Sequence, residues 1–209
     1  MLSLPPIKKS SSASITFAPE LAAVIAADNP VAPATKLIAL NKPFGVICQF
    51  SGDNNTLSDY VDIPNVYPAG RLDKDSEGLV ILTDDGKLQN LISSPKHNKT
   101  KTYVVQVEGN VSDTAVATLE KGVHLKDGKT KSATVKIINE PNWLWARTPP
   151  IRVRKNIPTS WIEISISEGR NRQIRRMTAS VGFPTLRLIR TKIDKWDLGD
   201  LTLGSYVTL

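Results

Sequence analysis

From Lys36 onward the chain alternates short apolar runs with turn residues. The stretches "KLIALNK", "GVICQF", "GLVILTD", "TYVVQVEG", "ATVKII", "WIEISISEG" and "TLRLIRTKI" are short and rich in β-branched residues. Turn-forming residues separate them, which is the mark of strands. Three stretches change period. "DDGKLQNLI" offers Asp84 or Asp85 as N-cap and sets Leu88, Leu91 and Ile92 at helical spacing. "SDTAVATLEKG" has Ser112 or Asp113 as cap and Gly122 as its stop. "NRQIRRMTASVG" has Asn171 as cap, Gly182 beyond its end, and Ile174, Met177 and Val181 on one face. Many strands and few helices predict an α+β protein. Residues 1–35 mix Pro, Ser and Ala without a sustained period, so a flexible tail is expected ahead of one domain over 36–209.

Composition narrows the class. The 209 residues suffice for one sizeable domain, or two small lobes sharing a core. No apolar run approaches the ~18 residues that span a bilayer, which argues against a membrane protein. A single cysteine, Cys48, allows no internal disulfide and fits a reducing cytoplasm. Inside "GVICQF" it reads as a small buried hydrophobe. The isolated His97 and His124 make no metal-ligand spacing with it, and no metal is expected.

Charge changes the picture further. The formal net charge is +7, yet residues 147–192 hold eleven Lys and Arg against Glu163 and Glu168. That segment nets +9 and the remainder −2. A concentrated basic stripe points to a polyanionic partner. Arginine supplies nine of the eleven cations, and its planar head suits phosphate. With Ile174, Met177 and Val181 packed inward, Arg172, Arg175 and Arg176 project from the other faces, and Arg170 sits in the entry turn. The helix N-terminus adds positive dipole there.

Against this stands "GRLDKDSEGLVILTDDG", residues 70–86, with five carboxylates around one hydrophobic run. Asp75 and Glu77 read as solvated turn residues, and Asp84 and Asp85 as caps. Asp73 differs, following Leu72 between Arg71 and Lys74. On the residues alone its role stays open between structure and chemistry. A carboxylate held by an arginine stays ionised, available as nucleophile or base.

The motifs "LNKPFGVICQF", "GRLDKDSEGLVILTDDG", "KTYVVQVEG" and "EGRNRQIRRM" occur in that order. Together they resemble the RsuA-like pseudouridine synthases, bacterial enzymes that isomerise uridine in ribosomal RNA. The similarity covers residues 36–209. Many members carry a small RNA-binding domain first, and the stretch before Lys36 is too short and irregular for it. The likeness is therefore to members without that domain that act on large-subunit (23S) rRNA. The run "WLWARTPPIRVRKNIPTSW", residues 143–161, looks characteristic of that subgroup.

The resemblance implies a mixed, largely antiparallel central sheet with few flanking helices and two sub-lobes around a catalytic cleft. It implies that Asp73 is the catalytic carboxylate. Tyr103 would stack on the target base and serve in proton transfer, and Arg175 would pair with Asp73. Ile174 and Leu72 would line the pocket. Arg71 matches a position where a related enzyme inserts arginine into the RNA in place of the extruded base. The reaction breaks the N1–C1′ bond, turns the uracil over and joins its C5 to C1′. As a net isomerisation it needs no cofactor, and none is expected. A glycosidic carbon developing positive charge calls for a carboxylate, whether by covalent addition or glycal-type elimination. Extruding the base costs a few kcal/mol, and stacking on Tyr103 offsets about 1–3 kcal/mol. Arg170, Arg172, Arg176, Arg152, Arg154 and Lys155 would grip phosphates. The expected partner is 23S rRNA or a large-subunit assembly intermediate, for a monomer in the cytoplasm with no membrane contact. Two other readings stay open: a catalytically silent RNA binder or assembly factor, and a hydrolytic N-glycosidase. Trp143, Trp145 and Trp161 are expected to pack in the core rather than stack on RNA.

Overall fold

Strand β3 (Glu77–Thr83) is buried at every position, so the sheet must be covered on both faces. Its side chains alternate accordingly. Val80 and Leu82 join the larger core, while Leu79 and Ile81 join a smaller one on the opposite face. In this computed structural model residues 34–209 are described, and residues 1–33 of the expected tail lie outside them.

The main sheet runs in the order β11 (Tyr206–Thr208), β1 (Leu37–Lys42), β3, β9 (Thr185–Ile193), β4 (Lys101–Glu108), β8 (Thr159–Ile166), β7 (Thr134–Ile138). The short strands β2 (Tyr67–Pro68) and β10 (Trp196–Asp197) pair with β3 and β9. A separate ribbon joins β5 (His124–Leu125) to β6 (Gly128–Lys129). Among these pairings only β3 and β9 run parallel, through Glu77 opposite Ile189 and Gly78 opposite Arg190. This narrow contact joins an antiparallel β11–β1–β3 half to a β9–β4–β8–β7 half, a mixed α+β sheet as expected. Gly78 makes the junction close. Its φ is +99°, and a Cβ there would lie 2.3 Å from the Arg190 carbonyl oxygen.

The helices follow their caps. Helix α1 (Gly86–Ser93) starts where Asp85 accepts the amides of Lys87 and Leu88. Helix α2 (Asp113–Lys121) starts where Ser112 accepts from Ala115, and it stops at Gly122. Helix α3 (Gln173–Ser180) departs from expectation. Its N-cap is Arg172, in the left-handed region at φ 47°, not Asn171. No side chain caps the helix; the Gln173 amide donates to the Arg170 carbonyl at 3.2 Å, and the Gln173 side chain folds back to accept the Arg170 amide at 3.0 Å. Ile174 and Met177 are buried as expected. "GVICQF" is not a strand either. It makes one bridge, Ile47 to Thr56, because Gly45 (φ +82°) turns the chain and donates its amide to Lys74. Val46 and Cys48 are buried all the same, Cys48 as the small hydrophobe expected.

Lys42, at the end of β1, is fully buried and donates to the carbonyls of Pro43 and Val46. Burial, opposed chiefly by the charges of Cys48 and Glu77, pulls its pKa down from 10.5 to about 8. Between those values the unfolded chain binds the proton that the folded chain has released. Stability therefore rises with pH from about 8 to 10.5. Urea unfolding across that range should show a steeper rise in the parent than in Lys42→Met, which keeps the smaller contribution of Lys101; parallel curves would refute it.

Candidate active site

The turn 70–76, between β2 and β3, carries Asp73 and is held from three sides. Ser76 donates its amide to the Asp73 carbonyl at 3.1 Å, and Gly45 donates to Lys74 at 2.8 Å. From β9, the Arg190 guanidinium donates to the carbonyls of Gly70 (2.9 Å) and Leu79 (2.8 Å). Arg190 is 2 % exposed, so the turn is pinned by a cation that water barely reaches.

Asp73 opens onto a cleft of about 750 Å³. Leu72, Tyr103 and Ile174 line it, with Arg71, Arg170 and Arg172. Elements distant in sequence thus meet: the turn before β3, the face of β4 that carries Tyr103, and the start of α3. Among the described residues Asp73 is the only carboxylate lining the cleft, and six cations share the wall with it: Arg71, Lys74, Lys101, Arg170, Arg172 and Arg190. So positive a cleft attracts a polyanion, and Asp73 is the one negative group among its described lining residues.

The expected pair of Asp73 with Arg175 does not form. Arg172 is the cation within ion-pair reach of Asp73, at 3.6 Å. Arg175 donates instead to the Asp75 carbonyl at 2.7 Å and lies 3.5 Å from the Asp75 carboxylate. The cause is Asp75, which is no solvated turn residue. It takes both ends of Arg172 at 2.9 and 2.8 Å and stands between α3 and Asp73. Partial burial pushes the Asp75 carboxyl up, but the Arg172 bonds and the Arg175 and Arg172 charges outweigh this and hold it low. Asp73 still acts electrostatically on Arg175 from beyond contact distance.

Glu77 also departs from the solvated role. It is 1 % exposed and makes two bonds of 2.9 Å to Arg187 of β9. Trp145 donates its indole N–H to the same carboxylate at 2.7 Å. This ties down the irregular segment between β7 and β8, which Arg147 fastens again over the Phe44 ring at 4.1 Å. Of the three tryptophans expected in the core, Trp161 is buried. Trp143 is 45 % exposed, with its ring 5.7 Å from that of Trp145.

The cations expected to grip phosphates divide. Arg176 pairs with Asp127 at 2.7 and 3.1 Å. Arg170 holds the β5–β6 ribbon through the carbonyls of Gly128 and Lys129 and lies 3.3 Å from Glu168. Arg154 pairs with Glu108 at 3.0 Å. Arg175, Arg176, Arg152, Arg154 and Lys155 do not line the cleft. Arg71, Arg152 and Lys155 are exposed and make no ion pair among the described residues. Lys101 and Arg190 were missed. Lys101 stands two residues before Tyr103, and the period of a strand puts both on one face. Among the described residues no cluster of His, Cys, Asp and Glu could hold a metal, and no helix is long and apolar enough to cross a membrane.

Residues 36–180 match the model of the RNA pseudouridylate synthase family. A ribosomal large subunit pseudouridine synthase E of Vibrio parahaemolyticus is 53 % identical over 171 residues, 81 % of this chain and 69 % of that protein. The protein of the same name from Xanthomonas campestris pv. campestris is 51 % identical over 81 % of this chain and 93 % of its own. A crystal structure of a pseudouridylate synthase superposes with a TM-score of 0.71 at 33 % identity, covering 84 % of this chain and 70 % of that one.

Proposed function

Because the chain belongs to the RNA pseudouridylate synthase family, we propose that it isomerises a uridine of large-subunit (23S) rRNA to pseudouridine, with Asp73 as the catalytic carboxylate. One observation carries the reading: among the described residues a single carboxylate lies in a cleft walled by six cations, with Tyr103 of β4 on the same wall. The RNA backbone is drawn to the cations. The extruded uracil stacks on Tyr103 between Leu72 and Ile174. Asp73 then meets C1′ as the glycosidic bond breaks. Arg172 holds Asp73, and Arg175 holds Asp75 and through it Arg172. Exposed Arg71 at the rim fills the gap left in the RNA, and Arg152 and Lys155 on the far segment reach phosphates.

The proposed unit of action is a monomer working through the domain 36–209. A ribosomal substrate, free or in an assembly intermediate, supports action in the cytoplasm. The test is pseudouridine mapping of 23S rRNA from cells with and without the gene, together with conversion of that rRNA by the purified protein. One 23S pseudouridine should vanish on deletion and return on addition of the enzyme. Release of free uracil would mark a glycosidase, and an unchanged map would mark a silent binder; either refutes the proposal.

A further inference from the structure

The floor of the cleft holds two buried cations without a buried anion to match. Lys101 is 5 % exposed and Arg190 is 2 % exposed, and both line the cavity. No carboxylate lies within ion-pair distance of either among the described residues. Arg190 spends its Nε and Nη2 on the carbonyls of Leu79 and Gly70. Among the described residues Lys101 Nζ has a single acceptor, the Lys99 carbonyl at 3.1 Å, for its three N–H bonds. Burial first, and the nearby Arg190 charge second, pull the Lys101 ammonium below its usual 10.5. Buried charges are ordinarily paired because desolvation is costly. Two unpaired cations side by side fit a site whose anion arrives with the substrate.

Their position says which anion. Tyr103 faces Arg190 across the sheet and shares a face of β4 with Lys101. Exposed Arg71 and Lys74 sit at the rim, where a backbone phosphate passes; Lys101 lies inside, beside the ring that stacks the base. We propose that Lys101 is a further catalytic residue, whose ammonium stabilises the negative charge that develops on uracil as the N1–C1′ bond breaks. This rests on the function proposed above. When that bond breaks, its electron pair stays with the ring, spread over N1, O2 and O4. C1′ is then taken by the Asp73 carboxylate, or the ribose gives up its C2′ proton to form a glycal, and that proton returns to C2′ when C5 bonds to C1′. The anion persists while the ring turns. Formation of the C5–C1′ bond, loss of the C5 proton and protonation of N1 discharge it, with no net gain or loss. A cation fixed in a dry cleft favours the charge-separated state over bound substrate.

The test compares Lys101→Met with the parent on an RNA carrying uridine at the target and on the same RNA carrying 5-fluorouridine. The fluorine makes the ring a better leaving group, so less electrostatic help is needed; because C5 then carries no proton to lose, conversion of both RNAs is read as disappearance of the N1-linked nucleoside. Single-turnover conversion of uridine should fall about 10²-fold with the Kd for RNA unchanged, and the loss should shrink several-fold on 5-fluorouridine. Lys101→Arg, which keeps a cation, should recover part of the rate. Equal losses on the two RNAs would show a structural role. A loss confined to Kd would show a phosphate contact, and no loss would show no role; each overturns the assignment. If the methionine variant does not fold, Lys101→Gln carries the same comparison. A parent that makes no pseudouridine from the uridine RNA refutes the proposed function instead, and this assignment with it.

Discussion

Asp73→Asn should fold and bind RNA like the parent, yet form pseudouridine at least about 10⁴-fold more slowly. The substitution keeps the shape of the side chain and removes the charge. An amide cannot add to C1′ as a nucleophile, and it cannot balance positive charge developing there. The structural loss is small. The Asp73 side chain is 35 % exposed, and its ion pair with Arg172 is long at 3.6 Å. A part-exposed pair of that length contributes less than about 1 kcal/mol. Arg172 keeps its shorter bonds to Asp75, and the turn keeps its backbone ties. Activity and stability therefore separate cleanly in this variant. The readouts are single-turnover conversion, RNA affinity and thermal unfolding on one preparation. Conversion near the parental rate would remove Asp73 from the chemistry and with it the proposed mechanism.

What the chain showed before its structure was known depended on how local the cause was. Caps are local, so two of the three helix starts could be narrowed to adjacent pairs, Asp84 or Asp85 and Ser112 or Asp113, of which Asp85 and Ser112 serve; the third, Asn171, gives way to Arg172. The longer strands of the main sheet are β-branched runs set between turn residues and were legible for the same reason, whereas the three-residue β11 was not. The two-residue strands at Tyr67, His124, Gly128 and Trp196 are too short to show a period. "GVICQF" has the composition of a strand, but Gly45 and its amide bond to Lys74 bend it around the Asp73 turn. The site divides in the same way. Leu72, Asp73, Tyr103 and Ile174 were marked by their motifs and do meet in one cleft. Which carboxylate meets which arginine was not legible. Asp73, Asp75 and Glu77 alternate along five residues where the turn runs into β3, and Arg172, Arg175, Arg176 and Arg187 arrive about a hundred residues later. Pairing among them is decided by where α3 and β9 lie against the turn. Lys101 was hidden for another reason: a lysine in a strand reads as solvated until the strands on both sides bury it.

The Glu77 pairing carries the largest stability effect. Glu77 sits four residues after Asp73, at the parallel junction of the two half-sheets, and it and Arg187 are nearly inaccessible. Glu77→Gln keeps the volume and leaves the Arg187 guanidinium buried without its counter-charge. Removing one partner of a buried pair costs about 3–5 kcal/mol, which for a domain of this size lowers Tm by about 10 °C. The Trp145 indole loses a charged acceptor as well, so the basic segment between β7 and β8 loosens together with the turn that presents Asp73. The double variant Glu77→Leu, Arg187→Met should be more stable than Glu77→Gln, because no orphaned charge stays in the core. Its cleft should keep Asp73 in place but bind RNA less firmly, since the Trp145 tether is gone. Urea and thermal unfolding of the three proteins measure the first effect, and RNA titration measures the second. A loss below about 1 kcal/mol in Glu77→Gln would mean that water reaches the pair and screens it. The junction of the two half-sheets would then be held by Gly78 and the apolar cores on either face, and not by charge.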